Sequence, residues 1–281
     1  MAWSITAGEK NLPKIIITHR AGSSAEIYLN GAQLTSWNCP PAGERIFLSS
    51  AANFEDGKAI RGGVPVVFPQ FADSGPLPKH GWLRNTVWDV DESTDPLGQT
   101  VRLRTSDTQE TRSLWDFPYE ATLDVSLYET SIEMRLGISN TGNADMPFTA
   151  ALHTYLAVSD LSHASVIGLY GSRYIDKTRG RLLVKDEEQA LRISGETDRI
   201  YPGAPWRLVL TDADTRVDIS ENGFRDVVVW NPWTEVTRGI ADLHPHEYLK
   251  FICIEAAIAA EPIVLPPGES WSGTQELCIP G

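Results

Sequence analysis

Two residues of this sequence are suited to moving protons, a histidine and a glutamate that each interrupt an apolar run. His153 lies in Ala150-Ala151-Leu152-His153-Thr154-Tyr155-Leu156, and Glu255 in Phe251-Ile252-Cys253-Ile254-Glu255-Ala256. With an unperturbed pKa of about 6.5, a histidine can give or take a proton near neutrality. A carboxylate in an apolar run is costly to bury, and glutamate is seldom buried unless it is paired or working. Strand alternation puts Glu255 on the face of Cys253 and Phe251, away from Ile254. No arginine or lysine adjoins it, which favours function over a salt bridge, although a partner distant in sequence is open. A lone histidine in such a run is more often a hydrogen-bonded core residue than a catalyst.

Two further segments carry cations. In Arg61-Gly62-Gly63-Val64-Pro65-Val66-Val67-Phe68-Pro69-Gln70-Phe71, the glycines allow close backbone approach and the prolines fix the loop. A loop so braced suits the presentation of one guanidinium to a ligand, and a tight turn with a solvated arginine reads equally well. In Leu77-Pro78-Lys79-His80-Gly81-Trp82-Leu83-Arg84, two cations and a histidine lie beside an aromatic ring. Arginine suits phosphate because its planar fork donates two hydrogen bonds at once. A basic surface turn has the same composition. Trp82 is a ring for a sugar face or for the core, and the same choice holds for Trp230 in Trp230-Asn231-Pro232-Trp233. His244-Pro245-His246 lacks further ligands at usable spacing, so no metal is expected. There is no phosphate loop, dinucleotide fingerprint, nucleophile elbow or H-E-x-x-H, so no cofactor is expected.

The elements that must position these residues read as strands. Alternating runs at 14–19, 25–29, 33–37, 100–105, 119–128, Ser131–Asn140, 148–155, 165–169, 206–210, 216–220, 226–230, 248–255 and 272–279 are separated by turn residues. Asn30-Gly31 between two apolar runs predicts a hairpin. In Ser131–Asn140 the residues Ile132, Met134, Leu136 and Ile138 alternate with polar ones, giving one buried face. No stretch has a sustained helical period. The irregular stretches 40–83 and 172–201 are long for a compact domain, and loops of that kind are usually functional; they hold Arg61, Lys79, His80 and Asp198, with Arg84 just beyond. The expectation is one all-β domain over 1–281, a large antiparallel β-sandwich.

Composition narrows the function classes. A formal net charge of −13 makes nucleic acid and anionic membrane poor partners. It leaves room for a small anionic substrate, because an arginine cluster dominates within a Debye length of about 8 Å. Cys39, Cys253 and Cys278 are odd in number and widely spaced, which argues against a disulfide framework and suits a reducing cytosol. Residues 1–11 lack a signal pattern, and no apolar run approaches the ~20 residues of a membrane span. The chain therefore reads as a soluble, unprocessed cytoplasmic protein, with a monomer favoured.

Together the arginine loop 61–71, the segment 78–84, Leu152-His153-Thr154-Tyr155, Glu196-Thr197-Asp198, Trp230-Asn231-Pro232 and the Glu255 strand resemble the glucose-6-phosphate 1-epimerases, a branch of the aldose 1-epimerase group. The resemblance runs from about residue 15 to residue 279. It implies a galactose-mutarotase-like sandwich, with His153 and Glu255 catalytic. Arg61 and Arg84 fall on phosphate-binding arginines and Asp198 on a substrate-binding aspartate. Lys79 falls where relatives often carry glutamine, a departure that adds charge for phosphate or points to a different substrate; His80 and Trp230 complete the expected binding residues. The implied reaction interconverts α and β anomers. A base takes the anomeric hydroxyl proton, an acid protonates the ring oxygen, and the open aldehyde rotates before closure, with no metal or redox group. In the productive state Glu255 is expected to be ionised as base and His153 protonated as acid, each favouring the other's charge if close. Three competing readings are a silent carbohydrate-binding module, an epimerase for unphosphorylated sugars, and a glycosidase, which lacks a second convincing carboxylate.

Overall fold

The structure, a computed structural model, describes residues 2–91 and 99–281. Among these, three antiparallel sheets form the molecule. A five-stranded sheet follows chain order through Ala2–Ala7, Pro13–Thr18, Ser24–Tyr28, Gln33–Cys39 and Gly43–Glu44. A nine-stranded sheet is ordered Ala190–Leu191, Ala164–Ile167, Arg207–Asp212, Thr215–Asn222, Ser270–Cys278, Ser131–Asn140, Tyr119–Leu127, Thr100–Ser106 and Asp89–Asp91. An eight-stranded sheet is ordered Leu182–Lys185, Arg173–Asp176, Thr197–Pro202, Asp226–Asn231, Phe251–Leu265, Met146–Leu152 and Val66–Val67, with Tyr155–Ala157 also paired to Phe251–Leu265.

The inner faces of these sheets share one apolar core. Ile132, Met134, Leu136 and Ile138 meet Leu152, Ile252, Ile254 and Ile258 of the eight-stranded sheet and Ile15, Ile17 and Trp37 of the five-stranded one. Each such side chain is buried and contributes about 1.5–3 kcal/mol relative to exposure. This is the expected antiparallel β-sandwich.

The strand Phe251–Leu265 is buried on both faces over most of its length. Its outer face carries Phe251 and Cys253 in one small apolar cluster and Ala257 and Ala259 in another. Alternation places Glu255 between them. Phe47, from the segment after Cys39, and Leu243, from that after Asn231, pack on this face.

Several expectations change. The stretch 172–201 holds four short strands, Arg173–Asp176, Leu182–Lys185, Ala190–Leu191 and Thr197–Pro202. The run 148–155 is two strands, because the ladder stops after Leu152 and resumes at Tyr155. The hairpin at Asn30-Gly31 forms, but positive φ falls on Gly31 and Ala32. Asn30 instead accepts from Gly57 N–H and donates to the Lys58 carbonyl. Among the described residues two short α-helices occur, Gln109–Leu114, capped by Thr108, and Trp233–Arg238, which follows Pro232. Among the described residues no helix is long and apolar enough to cross a membrane.

Candidate functional site

The pairing register brings the histidine and the glutamate together. Leu152 pairs with Ala256 and Tyr155 with Cys253, so His153 stands opposite Glu255 in the gap between these pairs. On its other side His153 keeps the register of Ala151–Val67 and Leu152–Val66, its N–H donating to the Pro65 carbonyl. Its Nε2 lies 3.5 Å from Glu255 Oε1. Both side chains are buried, and His153 Nδ1 and Glu255 Oε2 have no hydrogen-bond partner among the described residues. Leaving a buried polar atom unpaired costs about 1–3 kcal/mol, and groups kept that way in native proteins call for a functional explanation.

The charged pair expected in the productive state is not the one that the free site favours. Burial, followed by the fields of Arg84 and Arg61, pulls the His153 pKa down to about 3. Burial and then Asp198 push Glu255 well above the usual carboxylate range, with Lys177 opposing. Across the 3.5 Å contact both shifts favour the neutral forms in the free site. Desolvation outweighs the mutual attraction that would charge both.

The pair opens into a cleft of about 440 Å³, a size typical of small-ligand sites. Arg61, Lys79, His80, Arg84, Asp198 and Trp230 all line it with His153 and Glu255, so the residues expected to form the site reach one place. Arg61 comes from a loop in which Gly62 and Gly63 both have positive φ. A Cβ on Gly62 would meet the Phe47 carbonyl at 2.5 Å, and one on Gly63 would strike that of Leu34, so only glycine permits this approach. The Arg61 guanidinium donates to Asp242 Oδ1 at 3.0 Å and to the Tyr155 hydroxyl at 3.1 Å. Burial works against its charge, yet Tyr155 and Asp242 more than restore it.

Arg84 is held differently. One Nη donates to the Lys79 carbonyl at 2.8 Å, and its Nε is buried without a partner among the described residues. Burial lowers its pKa, and Arg61 beside it does so too, but a guanidinium stays charged in proteins. His80 accepts the Ala72 N–H on Nδ1 at 3.3 Å, which puts its own proton on Nε2. Burial, then His153 and Arg84, hold it neutral, so His80 is a neutral N–H donor at the cleft wall.

Asp198 pairs in register with Trp230, and its Oδ2 accepts from Lys177 Nζ at 2.7 Å. The Trp230 ring meets His153 edge-on, centroids 5.8 Å apart. Trp82 belongs to the core side, donating to the Tyr119 hydroxyl. His244 and His246 are exposed.

Sequence reasoning missed Tyr155, Lys177 and Asp242. The Tyr155 ring lies parallel to His153, centroids 4.9 Å apart and 12° between planes. Alternation from His153 could have found it, since residue 155 shares its face. Lys177 sits on a 3-10 turn capped by Asp176, and Asp242 reaches Arg61 across 181 positions; neither has a local signal.

A family profile described as Aldose 1-epimerase matches residues 13–278. A relative from Cenchrus ciliaris, named as a candidate glucose-6-phosphate 1-epimerase, is 34% identical over 273 residues, covering 93% of this chain and 83% of its own. One of the same name from Escherichia coli K12 is 32% identical over 260 residues, covering 88% and 84%. Among solved structures, a candidate mutarotase from Salmonella typhimurium superimposes with a TM-score of 0.89 at 26% identity, over 99% of this chain and 93% of that one. A galactose 1-epimerase from Lactobacillus acidophilus shares the fold, with a TM-score of 0.72 at 16% identity over 100% and 99% of the two chains.

Proposed function

This chain belongs to the aldose 1-epimerase family and is an isomerase that interconverts sugar anomers, and on that premise we propose that it acts on a hexose 6-phosphate, glucose 6-phosphate foremost, with His153 and Glu255 moving the protons. The observation that carries the substrate is Arg84. Arg61 is largely neutralised by Asp242, whereas Arg84 meets a neutral carbonyl and keeps an unpaired donor among the described residues. An uncompensated guanidinium beside a proton-transfer pair suits a sugar that carries a dianion. The names of the two relatives support the same substrate.

The proton count is simple. Between them His153 and Glu255 share one exchangeable proton, which burial favours on Glu255 in the free site. Ring opening with His153 as base and Glu255 as acid ends with imidazolium and carboxylate. Opening from that charged pair, with Glu255 as base, ends in the neutral one. Each opening and each closure passes the proton across through the substrate. A phosphate dianion against Arg61 and Arg84 offsets the fields that, after burial, depress His153, and so shifts the balance toward the charged pair when substrate is bound. His80 Nε2 and the Lys177-braced carboxylate of Asp198 supply a donor and an acceptor for sugar hydroxyls. The three cysteines are free, which supports a reducing cytoplasm, and the net charge of −13 argues for a monomer working apart from nucleic acid and membranes.

Replacing Arg84 by alanine is expected to raise KM for glucose 6-phosphate by roughly one to two decades, since a charge-assisted hydrogen bond contributes about 1.5–3 kcal/mol. KM for free glucose should change less. Steady-state kinetics on both sugars checks this, and an equal effect on both would assign Arg84 to the fold.

A further inference from the structure

Behind the His153 and Glu255 pair, in the sandwich core beside the Glu221 carboxyl, lies a fully buried amide, that of Gln275. It belongs to Ser270–Cys278 of the nine-stranded sheet and faces the other sheet. An amide in such a core is unfavourable unless its hydrogen bonds are made, and besides Glu221 its partners are two residues that adjoin the pair. Gln275 Nε2 donates to the Ile254 carbonyl at 3.1 Å, and the Thr154 hydroxyl donates to Gln275 Oε1. Thr154 follows His153, and Ile254 precedes Glu255.

The reason for this amide is written in the ladder. Ile254 N–H donates to the Thr154 carbonyl at 3.1 Å, as an antiparallel pair should. The reciprocal bond is missing, because Thr154 N–H turns back to the Leu152 carbonyl at 3.0 Å. That turn is the kink that takes His153 out of the strand. It would orphan the Ile254 carbonyl in the core, and the Gln275 amide takes the place of the diverted N–H. One side chain from the opposite sheet thus holds both strands at the positions adjoining the paired side chains.

We propose that Gln275 and Thr154 are positioning residues, a strut through the sandwich that fixes the kink and with it the separation of His153 and Glu255. The inference rests on the reading of that pair as the proton-transfer groups. A displacement of the order of an ångström at reacting groups costs up to about a hundredfold in rate. Gln275→Met and Thr154→Val are therefore expected to lower kcat on glucose 6-phosphate about ten- to a hundredfold, with KM changed less than about twofold. Thr154→Ser, which keeps the hydroxyl, should recover most of what Thr154→Val loses.

Near-normal kcat in folded Thr154→Val or Gln275→Met, alongside an inactive Glu255→Gln, would overturn the strut while leaving the pair in place. An active Glu255→Gln would instead remove the pair and the strut with it. A parallel rise in KM and fall in kcat that Thr154→Ser does not recover marks general loosening of the fold and also overturns the proposal. Thermal melts and circular dichroism on each variant separate folded from unfolded protein, and the threonine series carries the test if Gln275→Met does not fold.

Discussion

Glu255→Gln is expected to lower kcat by about two to four decades while the fold stays intact. The carboxyl sits between two small apolar clusters, 3.5 Å from His153 Nε2 and with its second oxygen unpaired among the described residues. An amide matches its shape and hydrogen-bonding reach but cannot pass a proton to or from a sugar oxygen. The same substitution has a second expected result, in stability. Burial, then Asp198, raises the folded-state pKa of Glu255 above its ordinary value of 4.5. At pH below that value the group is protonated whether the chain is folded or not. As pH rises through 4.5 toward the folded-state pKa, the unfolded chain releases the proton and the folded one keeps it, so wild-type stability falls. The substituted amide has no acidic proton to lose. The variant should match the wild type in acid and gain on it toward neutral and alkaline pH. Melting curves across pH with kcat at one pH check both halves. Near-normal turnover would sink the assignment of Glu255.

His153→Asn should cost kcat about the same two to four decades. In the proposed mechanism the imidazole gives and takes a proton at a sugar oxygen, and asparagine, though polar, cannot. His153 is pulled down to about 3 by burial, then by Arg84 and Arg61, so at neutral pH the free enzyme offers a neutral ring that can act as base. The substitution also removes the ring that stacks on Tyr155 and meets Trp230 edge-on, so some loss of melting temperature is expected. The deciding comparison is between the two variants. If His153→Asn unfolds the chain while Glu255→Gln turns over normally, His153 is a core histidine and the proton transfer lies elsewhere.

How much of this the sequence carried depended on whether the signal was local. Ser131–Asn140 reads correctly to the residue, because Ile132, Met134, Leu136 and Ile138 face one core and the polar residues between them do not. The alternation that put Glu255 with Cys253 and Phe251 holds for the same reason. The kink at His153 was invisible, since Pro65 and Gln275, which stabilise it, are 88 and 122 positions away by residue number. Residues 172–201 looked irregular because their strands are short, and Leu182–Lys185 at the sheet edge leaves Leu182 and Leu183 half-exposed. The convergence of Arg61, Arg84 and Asp198 was an expectation from family resemblance, since no periodicity links loops so far apart. The pull of the free pair toward its neutral forms follows from desolvation, which only the folded chain reveals.

The central claim is the phosphorylated substrate, and the most direct measurement takes the wild-type enzyme and two freshly dissolved pure α-anomers, glucose 6-phosphate and glucose. Anomer ratios followed by NMR at equal concentrations give the catalysed equilibration of each. Rapid equilibration of the phosphate ester and much slower catalysis on the free sugar are the expected result. Faster or equal catalysis on free glucose would contradict it and leave an anomer isomerase whose two arginines serve another purpose.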